Sequence, residues 1–221
     1  MENIIKIMGI LNITPDSFYD GRKELTVESN KNRLENIINA DIIDIGCEST
    51  RPGAKRVSYE EEIDRLNTFI PLISNYSDKI FSIDTYKIKV VEYALSNGFK
   101  MVNDIKAGQE SSEIFEVVAD KNCKIVLMHM QGTPDNMQIN PKYDSVLDTI
   151  LLFFEERIKE AKNRGIKEEN IILDPGIGFG KSIEDNYSII RNIRQIKDLG
   201  FKVLLGLSRK SFLQYNIDKY K

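Results

Sequence analysis

Seven polar side chains stand at the ends of short apolar runs: Asn12, Asp44, Asp84, Asn103, His129, Asp174 and Ser208. Carboxylates and amides dominate the set, and the cation Lys210 follows the last member closely, so the group is suited to hydrogen bonding and to stabilising charge. Such residues have a plainer use, because Asp and Ser cap a following helix well. At any one position the two readings weigh about equally. Seven such positions in one chain favour a shared site.

Other chemistries fit less well. The single histidine, His129, lies between Met128 and Met130 at a strand end and is expected to be a hydrogen-bonded structural residue, not a general base. Lys181 and Ser182 follow a glycine-rich turn, but a nucleotide P-loop would need glycine where Pro175 stands. Gly176, Gly178 and Gly180 do not have dinucleotide spacing either, and read as a tight strand-to-helix turn. Cys47 and Cys123 lack metal-ligand spacing and read as reduced thiols of a cytoplasmic protein, Cys47 buried and inert. Arg209 and Lys210 open an expected helix, where the dipole disfavours cations, so an anion or ligand should hold at least one of them.

The elements that must position these residues alternate along the chain. Runs rich in Ile, Val and Leu at 4–13, 42–45, 79–83, 101–105, 124–128, 170–173 and 202–207 lack strict alternation, as suits parallel strands buried on both faces. Between them lie helical patterns: Ile88, Val91 and Leu95 share a face before Gly98, and Leu147, Leu151, Phe154, Ile158 and Ala161 share one before Gly165. Strand then helix, repeated with short connections, predicts a parallel α/β fold. Convergence of the polar strand ends at one mouth favours a closed (β/α)8 barrel of the TIM type over an open doubly wound sheet. The 221 residues, 41% of them hydrophobic, are enough for one domain spanning 1–221 without disulfides. A net charge of −3, with no long block of one sign, shows no footprint for nucleic acid or an anionic membrane, and no run is long and apolar enough to span one.

Seven motifs fall in order at the strand ends: residues 8–21 (MGILNITPDSFYDG), 44–53 (DIGCESTRPG), 82–85 (SIDT), 102–105 (VNDI), 127–132 (LMHMQG), 173–181 (LDPGIGFGK) and 206–211 (GLSRKS). The series closely resembles that of the dihydropteroate synthases. The resemblance implies a TIM-type barrel and a transferase of folate biosynthesis. Such an enzyme condenses 6-hydroxymethyl-7,8-dihydropterin diphosphate with p-aminobenzoate, with sulfonamides competing for the p-aminobenzoate site. It further implies Asp174 as the carboxylate facing the pterin N–H donors, Lys210 as the cation facing its carbonyl, and Asp84 and Asn103 at the remaining ring nitrogens, Asp84 being the catalytic residue. Mg2+ would be held through Asn12, and Thr50, Arg51 and Pro52, with Phe179 and Ser208, would surround p-aminobenzoate beneath the loop at 14–25. Cys47 stands where glycine is common in the family.

The pattern departs from the family at its end. No eighth strand follows Ser208, and no Arg-x-His motif is present. The expectation is therefore a barrel with seven of its eight βα units, missing the last strand and helix, that recognises pterin but turns over weakly or not at all. A second subunit completing the site, and a homodimer, stay open. Two rival functions share the pterin contacts: a pterin-binding methyltransferase domain, against which 49–52 and 208–211 argue, and a non-catalytic truncated pterin-binding protein.

Overall fold

The structure, a computed structural model, describes residues 5–14, 25–49, 56–133, 137, 141–210 and 212–213. Seven strands form one sheet: β1 (Met8–Asn12), β2 (Ile42–Gly46), β3 (Ile80–Asp84), β4 (Met101–Asp104), β5 (Lys124–Met128), β6 (Ile171–Asp174) and β7 (Lys202–Val203). They are hydrogen-bonded in chain order, each parallel to the next. Parallel neighbours need a crossover, and helices supply it. These are α1 (Val27–Glu35), α2 (Tyr59–Asn67), α3 (Ile70–Ile73), α4 (Ile88–Ser96), α5 (Glu113–Asp120), α6 (Val146–Asn163), α7 (Ile183–Arg191) and α8 (Ile193–Lys197). An unreversed strand order with a helix after each of the first six strands is barrel winding, since a doubly wound sheet reverses its order at a switch point. The expected barrel of seven βα units is what the chain forms.

Local chemistry sets the helix boundaries. Thr26 and Ser182 open α1 and α7 through reciprocal capping boxes with Ser29 and Asp185, and Ser145 Oγ accepts from Asp148 N at the start of α6. At the other ends, Gly98 (φ 99°) and Gly165 (φ 93°) take the left-handed conformation that stops α4 and α6 where the sequence places the stops.

Alternation along the strands divides the core in two. Outward-facing Ile43, Ile45, Phe81, Ile83, Val102, Ile125, Leu127 and Leu173 pack under the helices in one continuous cluster, which includes the edge-to-face pair Phe69 and Phe81 (ring centroids 5.5 Å). Inward-facing Met101, Val126 and Ile172 form a second cluster, closed by Met8, Ile42, Ile80 and Leu204. Each strand region thus contributes one side chain to an apolar floor inside the curl. The two edge strands leave this interior accessible, and Ile10, on the inner face of β1, is 63% exposed.

One strand is shorter than its apolar run. Among the described residues β7 pairs only with β6, a strand that ends at Asp174 because Pro175 has no N–H to continue its ladder. Leu204 N still donates to Leu173 O (2.9 Å), but 205–207 have no partner strand among the described residues. Phe81→Ala is expected to destabilise the fold by about 3–5 kcal/mol, because the ring joins helix and sheet in the outer core. Urea denaturation followed by circular dichroism measures this, and a loss under about 1 kcal/mol would mean that the aromatic cluster repacks.

Candidate active site

Two residues further along the strands from the apolar floor, the inner face turns polar. Asp44, Ser82, Asn103 and Asp174 occupy that tier on β2, β3, β4 and β6, and Asn12, Gly46 and Asp84 come next toward the strand ends. Side chains of alternate residues share a face, so the register alone brings these groups to the carboxyl end of the curl, where barrels of this kind carry their chemistry.

The β2–β4 group is dominated by negative charge. Asn103 Nδ2 donates to Asp44 Oδ2 (2.9 Å), yet burial still pushes the Asp44 carboxyl up to about 6. Asp44 Oδ1 and Ser82 Oγ are buried, and neither completes a hydrogen bond, although the hydroxyl lies close enough to ease the charge on Asp44. Asp84 is raised well above the usual carboxylate range, first by burial and then by the like charges of Asp44, Glu62, Asp104 and Glu48. The nearby cation Lys87 is already engaged: its Nζ donates to Glu48 Oε2 (2.7 Å), to Val57 O (2.8 Å) and to buried Glu62. Asn12 Oδ1 lies 2.5 Å, and Asp84 Oδ2 3.5 Å, from where a side chain on Gly46 would begin. Only glycine lets these two oxygens approach over β2.

The second group is built on the turn after β6. Asp174 Oδ1 accepts from Gly176 N (2.8 Å), and Gly176 (φ 66°) lies so near β5 that a Cβ would come 2.0 Å from His129 O. Burial raises Asp174 to about 6 against the pull of Lys181 and Lys210. Lys210 Nζ sits 4.3 Å from the centre of the Phe179 ring, and burial lowers its pKa. Asp174 is the anion that acts on it, which supplies the partner expected for a cation at this place.

The sequence-predicted residues therefore separate. Asp84 and Asn103 meet with Asp44, and Asp174, Phe179 and Lys210 meet at the β6 turn. Asn12 ends β1, where its carbonyl accepts from the Arg33 guanidinium (2.7 Å). Ser208 is exposed on a turn well past β7, because that strand is short. Thr50, Arg51 and Pro52 lie outside the described residues, as does 15–24 of the first loop. His129 is structural, but through its backbone: its N donates to Asp174 O and its O accepts from Lys181. The ring packs edge-on against Phe153 (5.0 Å) and is held neutral, with its pKa pushed down to about 3 mainly by burial. Cys47 is buried, which pushes its thiol pKa up and makes it unreactive. Sequence reasoning left Ser82 and Lys181 out of the site and gave Asp44 no role. All three lie within the motifs quoted above, but what they face follows from strand register and turn geometry, which local sequence does not show.

The family described as "Pterin binding enzyme" matches residues 8–220. Over 211 residues the dihydropteroate synthase of Clostridium beijerinckii is 46% identical, covering 94% of this chain and 75% of the relative. The chain belongs to the dihydropteroate synthases. A crystal structure of the dihydropteroate synthase of Clostridium difficile in the presence of pteroic acid superposes with a TM-score of 0.87 at 38% identity, covering 96% of this chain and 80% of that one. The Xanthomonas albilineans dihydropteroate synthase with 4-aminobenzoic acid gives 0.84 at 39% identity, covering 97% and 77%. Transferase activity in folate synthesis is thus the family's chemistry, and the rival methyltransferase reading falls away.

In this dihydropteroate synthase the buried carboxylates should oppose folding once ionised. Asp44 has a folded pKa raised above its unfolded value, so its stability contribution is full below about 4 and is lost as pH rises through about 6. Asp44→Asn is expected to raise stability at neutral pH by on the order of 2 kcal/mol, with the gain vanishing near pH 4. Melting curves of both proteins across that range check the sign, and a gain that grew toward acid would refute it.

Proposed function

We propose that the chain joins 6-hydroxymethyl-7,8-dihydropterin diphosphate to p-aminobenzoate with the inner-face carboxylates as its pterin site. The observation that carries this is a polar tier with unmet hydrogen-bonding capacity, at Asp44 Oδ1 and Ser82 Oγ, above an apolar floor. A flat heterocycle with an N–H edge suits both: its ring covers the floor and its donors meet the carboxylates.

In this reading Asp174 accepts from the pterin N–H groups, Lys210 donates to the pterin carbonyl, and Asn103, held by Asp44, reaches a ring nitrogen. Asp84 is the catalytic residue. As the methylene carbon–oxygen bond breaks, its electron pair leaves with the diphosphate and positive charge develops on the pterin. A carboxylate in a desolvated position stabilises that charge. The aromatic amine then forms the carbon–nitrogen bond and releases its proton to solvent, so no strong base is needed, in agreement with the neutral, packed His129. Thr50, Arg51, Pro52, Phe179 and Ser208 are proposed to hold p-aminobenzoate.

A divalent metal, Mg2+ in this proposal, fits the residues present. Asn12 Oδ1 and Asp84 Oδ2 converge as hard oxygen donors over Gly46, and among the described residues no group of three or more His, Cys, Asp or Glu could form a cage of protein ligands. Such an ion suits substrate phosphates and waters completing its shell, with Asn12 as the protein ligand. When bound, it would neutralise charge on the departing diphosphate.

The reading extends to a single domain over 1–221 and to the cytoplasm as compartment. Two free, buried cysteines support a reducing compartment, and one continuous helix-facing core supports the single domain.

Two outcomes test the proposal. Incubation with the pterin diphosphate and p-aminobenzoate should yield 7,8-dihydropteroate and diphosphate, and Asp84→Asn should lower kcat by about a hundredfold with a smaller change in pterin affinity. Equal losses of kcat and affinity would make Asp84 a binding group only. Asn12→Ala and EDTA should each weaken binding of the pterin diphosphate and leave binding of pteroic acid within about twofold, as calorimetry would show. Equal losses for both ligands would mean that Asn12 shapes the pocket instead of holding the metal.

A further inference from the structure

Lys181 closes the turn after β6 and has no part in the contacts proposed for substrate. Its side chain is almost wholly buried, at 4% exposure, and Nζ donates to His129 O (3.1 Å) at the end of β5 and to Phe179 O (2.9 Å) within the turn. An ammonium group out of water is costly unless it organises its surroundings or faces an anion. Here it does both. The two carbonyls come from separate segments, and Nζ lies 3.4 Å from where a Cβ on Gly176 would begin, beneath the backbone that donates to Asp174.

We infer that Lys181 is a positioning residue for pterin recognition. It latches the turn at 175–180 onto β5 and presents a buried positive charge to Asp174, leaving Lys210 for the substrate. The latch fixes Phe179, whose carbonyl it holds and whose ring carries the Lys210 ammonium. Burial raises the Asp174 carboxyl and the Gly176 N–H lowers it most; of the two lysines that add to that lowering, Lys181 has the larger effect. The other groups packed around the turn do not compete for that role. His129 on β5 stays neutral, and Asp185 on α7 accepts from Ser182 N as a helix cap while attracting Lys181 from the far side. The two lysines also repel each other, and burial with that repulsion brings Lys181 down to about 7, against the attraction of Asp174 and Asp185.

This inference rests on the pterin site proposed above, and its test separates the two. Lys181→Gln keeps N–H donors for both carbonyls and removes the charge, whereas Lys181→Met removes both. Affinity for pteroic acid would be measured by calorimetry from about pH 6 to about pH 9, as the ratio of variant to wild type at each pH. The expected result for Lys181→Gln is a several-fold loss near pH 6 to 7 that closes as pH rises, because Asp174 without its cation ionises later and wild-type Lys181 itself loses its charge above about 7. Lys181→Met should keep a deficit at every pH. In an Asp174→Asn background, Lys181→Gln should cost less than about twofold. Wild-type affinity in Lys181→Gln, or a deficit unchanged across the range, would overturn the inference. Failure of the wild-type protein to bind pteroic acid would instead overturn the pterin site, and this inference with it.

Discussion

Carboxylates held out of water set the terms for the whole carboxyl end of this sheet. Asp44, Asp84, Asp104 and Asp174 are all raised, and in each the largest cause is burial. Their compensation is unequal. Asp104 receives backbone N–H groups from Lys106 (2.8 Å) and Gly108 (2.7 Å), and Asp174 receives one from Gly176 together with two lysines. Asp44 has one amide donor, and Asp84 is surrounded by further acids. Of the two least compensated groups, Asp84 is the one to which the proposal assigns the developing charge, and Asp44 holds the Asn103 that it places at a pterin ring nitrogen. Unmet capacity in a desolvated place is what a donor-rich ligand can satisfy and bulk water cannot.

The barrel can carry this cost because its two faces are energetically separate. Outward side chains of the strands pack under the helices in one cluster, whereas the inner floor is a small cluster of its own. Polar residues in the tier above the floor therefore reduce only the inner core, and the helix-facing core is left to supply most of the stability. The same separation explains why the Lys87 network matters beyond local packing. It pairs Lys87 with Glu48 and Glu62, two of the acids whose charge raises Asp84.

Much of this was legible in the residues. Parallel strands buried on both faces read as unbroken apolar runs, so six of them were placed to within a few residues, and Gly98 and Gly165 marked helix ends because few other residues take a left-handed conformation readily. β7 was overestimated, because an apolar run does not reveal that its neighbour β6 stops before Pro175. At the carboxyl end of the sheet, the placement of Asp84, Asn103 and Asp174 was legible, because each lies at or beside the end of an apolar run. Groups whose importance is relational were not. Asp44 gains its place by facing Asn103 across β3, and Lys181 by folding back to β5, distances in sequence that no spacing rule spans.

The central claim is that undercompensated carboxylates on the inner face await a ligand with N–H donors. Carboxyl titrations by NMR, with 13C-labelled aspartate and resonances assigned through Asn variants, address it most directly. The account predicts that Asp44 and Asp174 titrate near 6 in the free protein, that Asp84 titrates above the usual carboxylate range, and that saturating pteroic acid moves Asp174 downward. Ordinary carboxylate values near 4 in the free protein, or titrations unmoved by the ligand, would contradict it.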